Sequence, residues 1–116
     1  MIWFYIWFFT LPTKENVYKE CVSQNVLHPE IVTAQFCLET GNGTSRVCWE
    51  YNNLFGLYDS NKGDYFKFDT WQESITGYKN MVQYKYKGGD YFAFLDSINY
   101  ASAKNYTKVL KLIQIN

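Results

Sequence analysis

Glu39 is the acidic side chain whose position could support catalysis. It lies in the last turn of a predicted helix, directly before a polar loop that begins at Gly41. The carbonyls at a helix C-terminus carry partial negative charge, so they disfavour an ionised carboxylate and raise its pKa. Flanking Phe36 and Leu38, and the nearby Trp49, would add desolvation in the same direction. A carboxylic acid that stays protonated near neutral pH can protonate a leaving glycosidic oxygen. From position alone, however, an ordinary solvated glutamate at a helix end is the better interpretation.

Cysteine and metal chemistry have weaker support in the sequence. Cys21, Cys37 and Cys48 do not have metal-ligand spacing, and one thiol stays unpaired in any intramolecular disulfide scheme. A nucleophilic cysteine would need a base, and the only histidine, His28, is about a helix length away from Cys37 in sequence. A single histidine also argues against a zinc hydrolase. We therefore expect no metal and no cofactor, and the disulfide state stays open.

The predicted helix that carries Glu39 has clear signals at both ends. Pro29 suits a first helical position because its φ angle is already fixed and its missing N–H would have no partner there. Glu30 places negative charge in the first turn, where the helix dipole favours it. Gly41 is suited to the left-handed conformation that follows a helix end. The residues that share one predicted helix face are Ile31, Ala34, Gln35 and Leu38.

Four ordered blocks of sequence resemble one known family. The blocks are LETG at 38–41, NNLFG at 52–56, KFDTWQESI at 67–75, and NYA at 99–101 followed by NY at 105–106. Together they are similar to the signature of the glucosaminidase domain of glycoside hydrolase family 73. This family contains bacterial and phage endo-β-N-acetylglucosaminidases of the lysozyme-like superfamily. The resemblance implies that the substrate is peptidoglycan, cut at the β-1,4 bond after N-acetylglucosamine.

The resemblance also implies roles for individual residues. Glu39 would be the general acid that protonates the leaving oxygen. Tyr100 matches the recurrent tyrosine of the closing block and would bond the carboxyl group or the sugar, so that it helps to position the attacking group. A water molecule or the acetamido group of the substrate could make that attack, and the sequence leaves both open.

The predicted substrate contacts are mostly aromatic. Asn53 and Phe55 would line the sugar groove, and the Asn53 amide can bond an N-acetyl or hydroxyl group. A turn at Asn53 and a core position for Phe55 are the alternatives. Tyr58 and Tyr65 are further candidates, since aromatic faces with polar tips suit sugar rings. Tyr106 is the second aromatic residue of the closing block, and a helix-core position explains it equally well.

The remaining segments predict a mainly α, lysozyme-like helical domain with a small β-hairpin that edges the substrate groove. Thr13 is expected to cap a helix that reaches about residue 25, with Val17, Cys21 and Val22 facing inward. Turn residues at 59–64 separate two short runs, which predicts the hairpin. The other predicted helices are 45–51, 69–86 capped by Asp69, 90–98 capped by Asp90, and 105–115.

The chain departs from the family pattern at three places. Asn42 stands where many members have Trp, and Ser102 or Ala103 stands where an Asp is often found. The hairpin has no Glu, so Asp59 and Asp64 are its only carboxylates, and neither is predicted to be a firm catalytic base. Two other functions stay open. A lytic transglycosylase would use one Glu as acid and then as base, although its usual GLMQ block is replaced here by NLFG. A glycan-binding or structural module would have lost catalysis.

Residues 1–9 are wholly apolar or aromatic, but the run is too short to span a bilayer and lacks a cationic start. An export signal, an interfacial anchor in contact with a membrane and a segment docked on the domain all stay open. We therefore divide the chain into residues 1–12, of uncertain role, and a glucosaminidase-like catalytic domain at 13–116. Zero net charge without a basic tract argues against nucleic acid as a partner. We expect a monomer that binds peptidoglycan glycan strands outside the cytoplasm.

Overall fold

Six α-helices and one two-stranded hairpin are found in residues 10–115, which are the residues that the computed structural model describes. The predictions for residues 1–9 lie outside them. The helices are α1 (Lys14–Ser23), α2 (Pro29–Thr40), α3 (Arg46–Tyr51), α4 (Trp71–Met81), α5 (Tyr91–Ser97) and α6 (Tyr106–Leu110), and a 3₁₀ turn covers Gln83–Lys85. The strands are β1 (Tyr58–Asp59) and β2 (Asp64–Tyr65). The predicted mainly α fold with a small hairpin is confirmed.

Helix α2 is the central element and is enclosed on nearly all sides. Helices α1 and α6 pack against it. Its buried residues are Val32, Thr33, Ala34, Gln35, Phe36, Cys37 and Thr40. The prediction of one inward face is therefore only partly right, since Ala34 and Gln35 are buried while Ile31 and Leu38 are half-buried. An enclosed helix gives the residues at its end a fixed position.

The helix ends agree with the capping signals at four helices. The side chains of Thr13, Ser45 and Asp90 accept hydrogen bonds from backbone N–H groups in the first turns of α1, α3 and α5. Helix α2 begins at Pro29 and ends before Gly41, which is left-handed with φ +57°. The caps at Thr13 and Asp90 and the limits at Pro29 and Gly41 are as predicted, whereas Ser45 caps the helix that we expected it to begin.

Helix α4 differs from its prediction at both ends. Thr70, and not Asp69, is the cap, because the Thr70 Oγ1 accepts a hydrogen bond from a backbone N–H in the first turn. The helix ends at Met81 instead of near residue 86. Val82 adopts φ −116° and ψ −59°, which interrupts the α-helix, and the chain continues as the 3₁₀ turn.

Helix α6 is also shorter than predicted. It ends at Leu110, five residues before the predicted end at residue 115. The following N–H groups bond three residues back, from Leu112 to the carbonyl O of Val109 at 3.0 Å, so the last turn tightens and the α-helix stops. Across residues 10–115, none of the helices combines the length and the apolar character that crossing a bilayer requires.

The hairpin is short and its register is fixed. Strands β1 and β2 are antiparallel, with Tyr58 opposite Tyr65. One further hydrogen bond, from the Phe66 N–H to the carbonyl O of Leu57 at 2.9 Å, extends the contact at the open end. Gly63, at φ +67°, completes the turn between the strands. The hairpin thus holds two tyrosines next to each other.

All three cysteines are free thiols buried in the interior. Burial raises the pKa of Cys21 to about 12 and that of Cys48 to about 11, so neither forms a reactive thiolate near neutral pH. Cys21 lies with Val17 on the inner stripe of α1. The prediction that Val22 also faces inward is wrong: it is 49% exposed, because α1 buries only a narrow stripe.

Candidate active site

The end of α2 is held by a tightly bonded loop. The carbonyl O of Thr40 accepts hydrogen bonds from the backbone N–H groups of Thr44 (2.8 Å) and Ser45 (2.9 Å). Its Oγ1 accepts another from the N–H of Gly43 at 2.7 Å. Because loop amides satisfy these groups, the partial negative charge of the helix end is offset close to Glu39. The loop therefore fixes the backbone that carries the acid.

The carboxyl group of Glu39 has a raised pKa, as predicted. Desolvation by surrounding protein atoms is the main cause, and a hydrogen bond with the Tyr106 hydroxyl acts in the opposite direction. The contribution of the helix carbonyls stays a prediction. Trp49, expected to add desolvation, is 56% exposed. Glu39 as a residue is nevertheless exposed to solvent, so a ligand can reach it.

Two surface grooves meet at Glu39. Their volumes are about 290 and about 260 Å³. The first groove is lined by Glu39, Thr40, Ser45, Val47, Asn53, Gly56 and Tyr65. The second groove is lined by Leu38, Glu39, Ala103, Asn105, Tyr106 and Val109. A linear ligand that fills both would pass the Glu39 carboxyl group. A larger cavity, of about 470 Å³, has Tyr18 and Phe92 in its wall and does not include Glu39.

Gly56 and Tyr65 form one wall of the first groove, and Tyr58 lies opposite Tyr65 on the hairpin. Gly56 has φ +64°, and a Cβ atom there would lie 3.7 Å from Oε2 of Glu39 and 3.9 Å from Cε1 of Tyr65. Tyr65 is 40% exposed and Tyr58 is 56% exposed. Their rings pack edge to face, with centroids 5.4 Å apart. Both predicted contacts therefore offer open aromatic surface, and Tyr65 does so beside the acid.

Asn53 lies at the first groove but has a saturated amide group. Its Nδ2 donates to the carbonyl O atoms of Leu57 (2.9 Å) and Phe66 (3.0 Å), and its Oδ1 accepts from the N–H groups of Phe55 (3.3 Å) and Leu57 (3.0 Å). The residue is fully buried. The amide that we expected to bond a sugar is thus used to hold the backbone of the 53–57 loop.

Phe55 is a core residue in the structure. It is 2% exposed, and its ring packs on that of Tyr78 with centroids 4.7 Å apart. This is the core position that the sequence left as an alternative. Its backbone carbonyl O accepts a hydrogen bond from the Tyr100 hydroxyl at 3.4 Å. Phe55 therefore connects the loop next to Glu39 with the tyrosine that follows α5.

Tyr100 and Tyr106 lie together near Glu39. Their ring centroids are 5.6 Å apart. Burial is the main cause that raises the pKa of Tyr100 well above its ordinary value, and the charge of Glu39 contributes. Burial also raises the pKa of Tyr106, and the charge of Glu39, which lines the second groove with it, contributes in the same direction. The structure thus brings together the acid and both tyrosines that the sequence singled out.

A comparison with protein-family models decides the family. The model described as Glucosaminidase, mannosyl-glycoprotein endo-β-N-acetylglucosaminidase, matches residues 15–115. The chain belongs to the glucosaminidase family. At the level of the family, membership implies an endo-β-N-acetylglucosaminidase, a glycoside hydrolase that acts on the peptidoglycan of the cell wall, and hence action outside the cytoplasm. No curated protein and no solved structure matches the chain significantly.

The two hairpin carboxylates, Asp59 and Asp64, accept hydrogen bonds within or next to the hairpin. Asp59 Oδ1 accepts a hydrogen bond from the N–H of Asn61 at 3.0 Å. Asp64 Oδ1 accepts from the N–H of Tyr65 at 2.7 Å, and its Oδ2 accepts from the Tyr51 hydroxyl at 3.3 Å. Within residues 10–115, His, Cys, Asp and Glu side chains form no group of three or more that could bind a metal ion.

The sequence analysis did not assign a role at the site to two buried residues near Glu39. Thr40 is buried and ties the loop to α2, and only its place before Gly41 hinted at this. Gln35 is also fully buried, one helical turn before Glu39, and its Nε2 donates to the Tyr106 hydroxyl at 3.3 Å. A glutamine four residues before an acid on the same helix face was the available signal.

Proposed function

We propose that this glucosaminidase domain hydrolyses the β-1,4 bond that follows N-acetylglucosamine in peptidoglycan glycan strands, with Glu39 as the general acid. The observation that carries the proposal is a carboxyl group of raised pKa at the junction of two grooves. We place the catalytic domain at residues 13–116 and propose that it acts as a monomer.

The two grooves suit a substrate that continues on both sides of the cleaved bond. A sugar in each groove would bring the bridging oxygen next to Glu39. Glu39 would give its proton to that oxygen as the bond breaks towards an oxocarbenium-like state. Tyr65 supports binding in the first groove, because its open aromatic surface can pack against a sugar ring. Tyr58 does not line the groove, but its exposed ring packs on Tyr65 and would extend the aromatic surface beside it.

The nucleophile that attacks the anomeric carbon is best assigned to the substrate itself. Among the described residues, no second carboxylate contributes to the pKa of Glu39, and Asp59 and Asp64 are engaged in the turn. In our proposal the acetamido oxygen attacks the anomeric carbon while the leaving oxygen takes the proton of Glu39. Water then opens the cyclic intermediate and returns a proton to Glu39. Tyr100 would position the acetamido group or the sugar.

A lytic transglycosylase is the second candidate, because it needs Glu39 alone and no second carboxylate among the described residues contributes to the pKa of Glu39. That enzyme would use Glu39 first as the acid and then as the base, and a hydroxyl group of the same sugar would replace water. The products differ in mass, because hydrolysis adds one water molecule and leaves a reducing end, whereas transglycosylation gives an anhydro-sugar. Mass spectrometry of the released glycans therefore separates the two reactions.

The decisive experiment compares the purified protein with its Glu39→Gln variant on isolated peptidoglycan. The matched control is Glu30→Gln, which makes the same change in the first turn of the same helix. We expect Glu39→Gln to bind peptidoglycan but to release at least about a hundredfold less product, while Glu30→Gln stays active. If wild type and Glu39→Gln bind equally and neither releases product, the chain is a glycan-binding module and the proposal is wrong.

A further inference from the structure

A row of buried side chains connects the backbone of Leu27 to Tyr106, which lines the second groove together with Glu39. At its far end Gln83 pairs with the Leu27 backbone: its Nε2 donates to the carbonyl O at 2.7 Å, and its Oε1 accepts from the N–H at 3.0 Å. The row continues through Tyr91, Tyr78 and Gln35 to Tyr106. All five side chains are buried.

The backbone of Leu27 fixes the direction of the first bonds. An N–H group can only donate and a carbonyl can only accept, so the two ends of the Gln83 amide cannot exchange places. The Gln83 Nε2 also donates to the Tyr91 hydroxyl at 3.1 Å. The Tyr91 oxygen accepts this bond, and among the described residues the hydroxyl oxygen of Tyr78, 2.7 Å away, is the hydrogen-bond acceptor within reach of the Tyr91 proton, so we take Tyr91 as the donor.

The same reasoning carries the direction to the active site. Tyr78 accepts a hydrogen bond from Tyr91, and its own hydroxyl donates to Oε1 of Gln35. This leaves the amide nitrogen of Gln35 to donate to the Tyr106 hydroxyl at 3.3 Å. Since the Tyr106 oxygen accepts from Gln35, its own proton is free to turn towards Glu39, which lines the second groove together with Tyr106.

We propose that Gln35 and Gln83 are positioning residues, which hold this row of hydrogen bonds in one direction and so aim the hydroxyl proton of Tyr106 at the Glu39 carboxylate. The proposal rests on Glu39 being the general acid. Hydrogen bonds that all point the same way polarise one another, so the donor that meets Glu39 is stronger than an isolated phenol.

The row of hydrogen bonds would lower the pKa of Glu39, whereas desolvation raises it. The groups that face Glu39 are the phenols of Tyr106 on α6, Tyr100 after α5 and Tyr65 on β2. Among the described residues no cation contributes to its pKa. An aimed phenol proton therefore stabilises the carboxylate that remains once the leaving oxygen has taken the proton. Without it, the pKa of Glu39 would be higher, and the acid would give up its proton less readily.

The test is a direct titration of the Glu39 carboxyl carbon by NMR, on the full chain. We expect Tyr106→Phe to raise the pKa of Glu39 by about 1. Gln35→Met and Gln83→Met should raise it by smaller amounts, in that order. In the Tyr106→Phe background, Gln35→Met should have no further effect, because Gln35 acts through Tyr106. The matched control is Gln72→Met, which removes another buried glutamine amide, one whose Oε1 has no partner among the described residues.

Two results would overturn the inference. One is an unchanged Glu39 titration in Tyr106→Phe, which loses a single oxygen atom and does not depend on Gln35→Met folding. The other is a shift from Gln35→Met that persists in the Tyr106→Phe background or is matched by Gln72→Met. The titration does not require catalysis. If Glu39 titrates as expected while the wild type releases no product from peptidoglycan, the proposed function fails and the positioning role stands.

Discussion

The Oε2 atom of Glu39 lies 3.7 Å from the point that a Cβ atom on Gly56 would occupy. Gly56 adopts φ +64°, so a side chain there would be strained as well as close to the acid. The glycine thus leaves open the part of the groove nearest to the carboxyl group. A methyl group at position 56 would therefore have two effects: it would strain the backbone, and it would occupy part of the groove.

Gly56→Ala should lower both stability and activity. The left-handed backbone costs an alanine about 1 kcal/mol of unfolding free energy. The methyl group would also take space beside Glu39, so we expect kcat/KM to fall about tenfold or more. The matched control is Gly63→Ala, because Gly63 has φ +67° and a Cβ atom there would meet nothing within 4 Å. Urea denaturation should show similar losses for both variants, whereas an equal fall in kcat/KM for both would contradict the role of Gly56.

Glu39→Gln should stabilise the protein at neutral pH. Folding raises the pKa of Glu39 above its ordinary value of 4.5, so the protonated form favours the folded state. That contribution is fully present below pH 4.5 and is lost as the pH rises through the folded-state pKa. The gain from Glu39→Gln should therefore grow from pH 4 to pH 8 in denaturant titrations. Glu30→Gln should show the opposite sign at pH 7, since it removes a charge that the helix N-terminus favours. A pH-independent effect of Glu39→Gln would contradict the raised pKa.

Asn53→Ala should be strongly destabilising. The Asn53 amide makes four buried hydrogen bonds to backbone groups, and losing them leaves those groups without partners. We expect a loss of about 3 kcal/mol in unfolding free energy. Asn61→Ala, on the exposed hairpin turn, should cost less than about 0.5 kcal/mol. If the two variants unfold at the same urea concentration, Asn53 does not hold its loop.

Tyr65→Ala and Tyr58→Ala should weaken glycan binding without unfolding the domain. Both rings are exposed, and we expect KM to rise about tenfold for Tyr65, or about 1.4 kcal/mol of binding free energy, and less for Tyr58. Tyr84→Ala is the control, because Tyr84 is 62% exposed and does not line either groove at Glu39. Steady-state kinetics on soluble glycan fragments would measure this. An equal KM for Tyr65→Ala and Tyr84→Ala would exclude Tyr65 as a contact.

The part of the fold that local signals specify could be predicted from the sequence. Pro29, Gly41 and the polar caps each act on the turn in which they lie, so the limits of α2 and the starts of α1, α3 and α5 follow from them. For the cap of α4 the sequence predicts Asp69 instead of Thr70, since two adjacent residues could both accept the bond. The early end of α6 depends on backbone hydrogen bonds to residues three positions back, and no single residue type in the sequence predicts them.

The site could be predicted as far as the family motifs reach. They indicated Glu39, Tyr100 and Tyr106, which the structure brings together. The buried row behind them could not be predicted, because Gln35 and Tyr106 are 71 positions apart and meet only through the packing of α6 on α2. The saturation of the Asn53 amide was likewise hidden, since its partners lie on a loop and a strand edge that close only in the folded chain.

Because the three thiols are buried and unpaired, the fold does not depend on a disulfide bond. No cystine has to form for the three-dimensional structure to be complete, and the sulfur atoms of Cys21, Cys37 and Cys48 are withdrawn from oxidants. The same architecture can therefore be reached in a reducing cytoplasm and persist in an oxidising envelope. We therefore expect recombinant production in an ordinary bacterial cytosol to need neither a disulfide isomerase nor an oxidising strain.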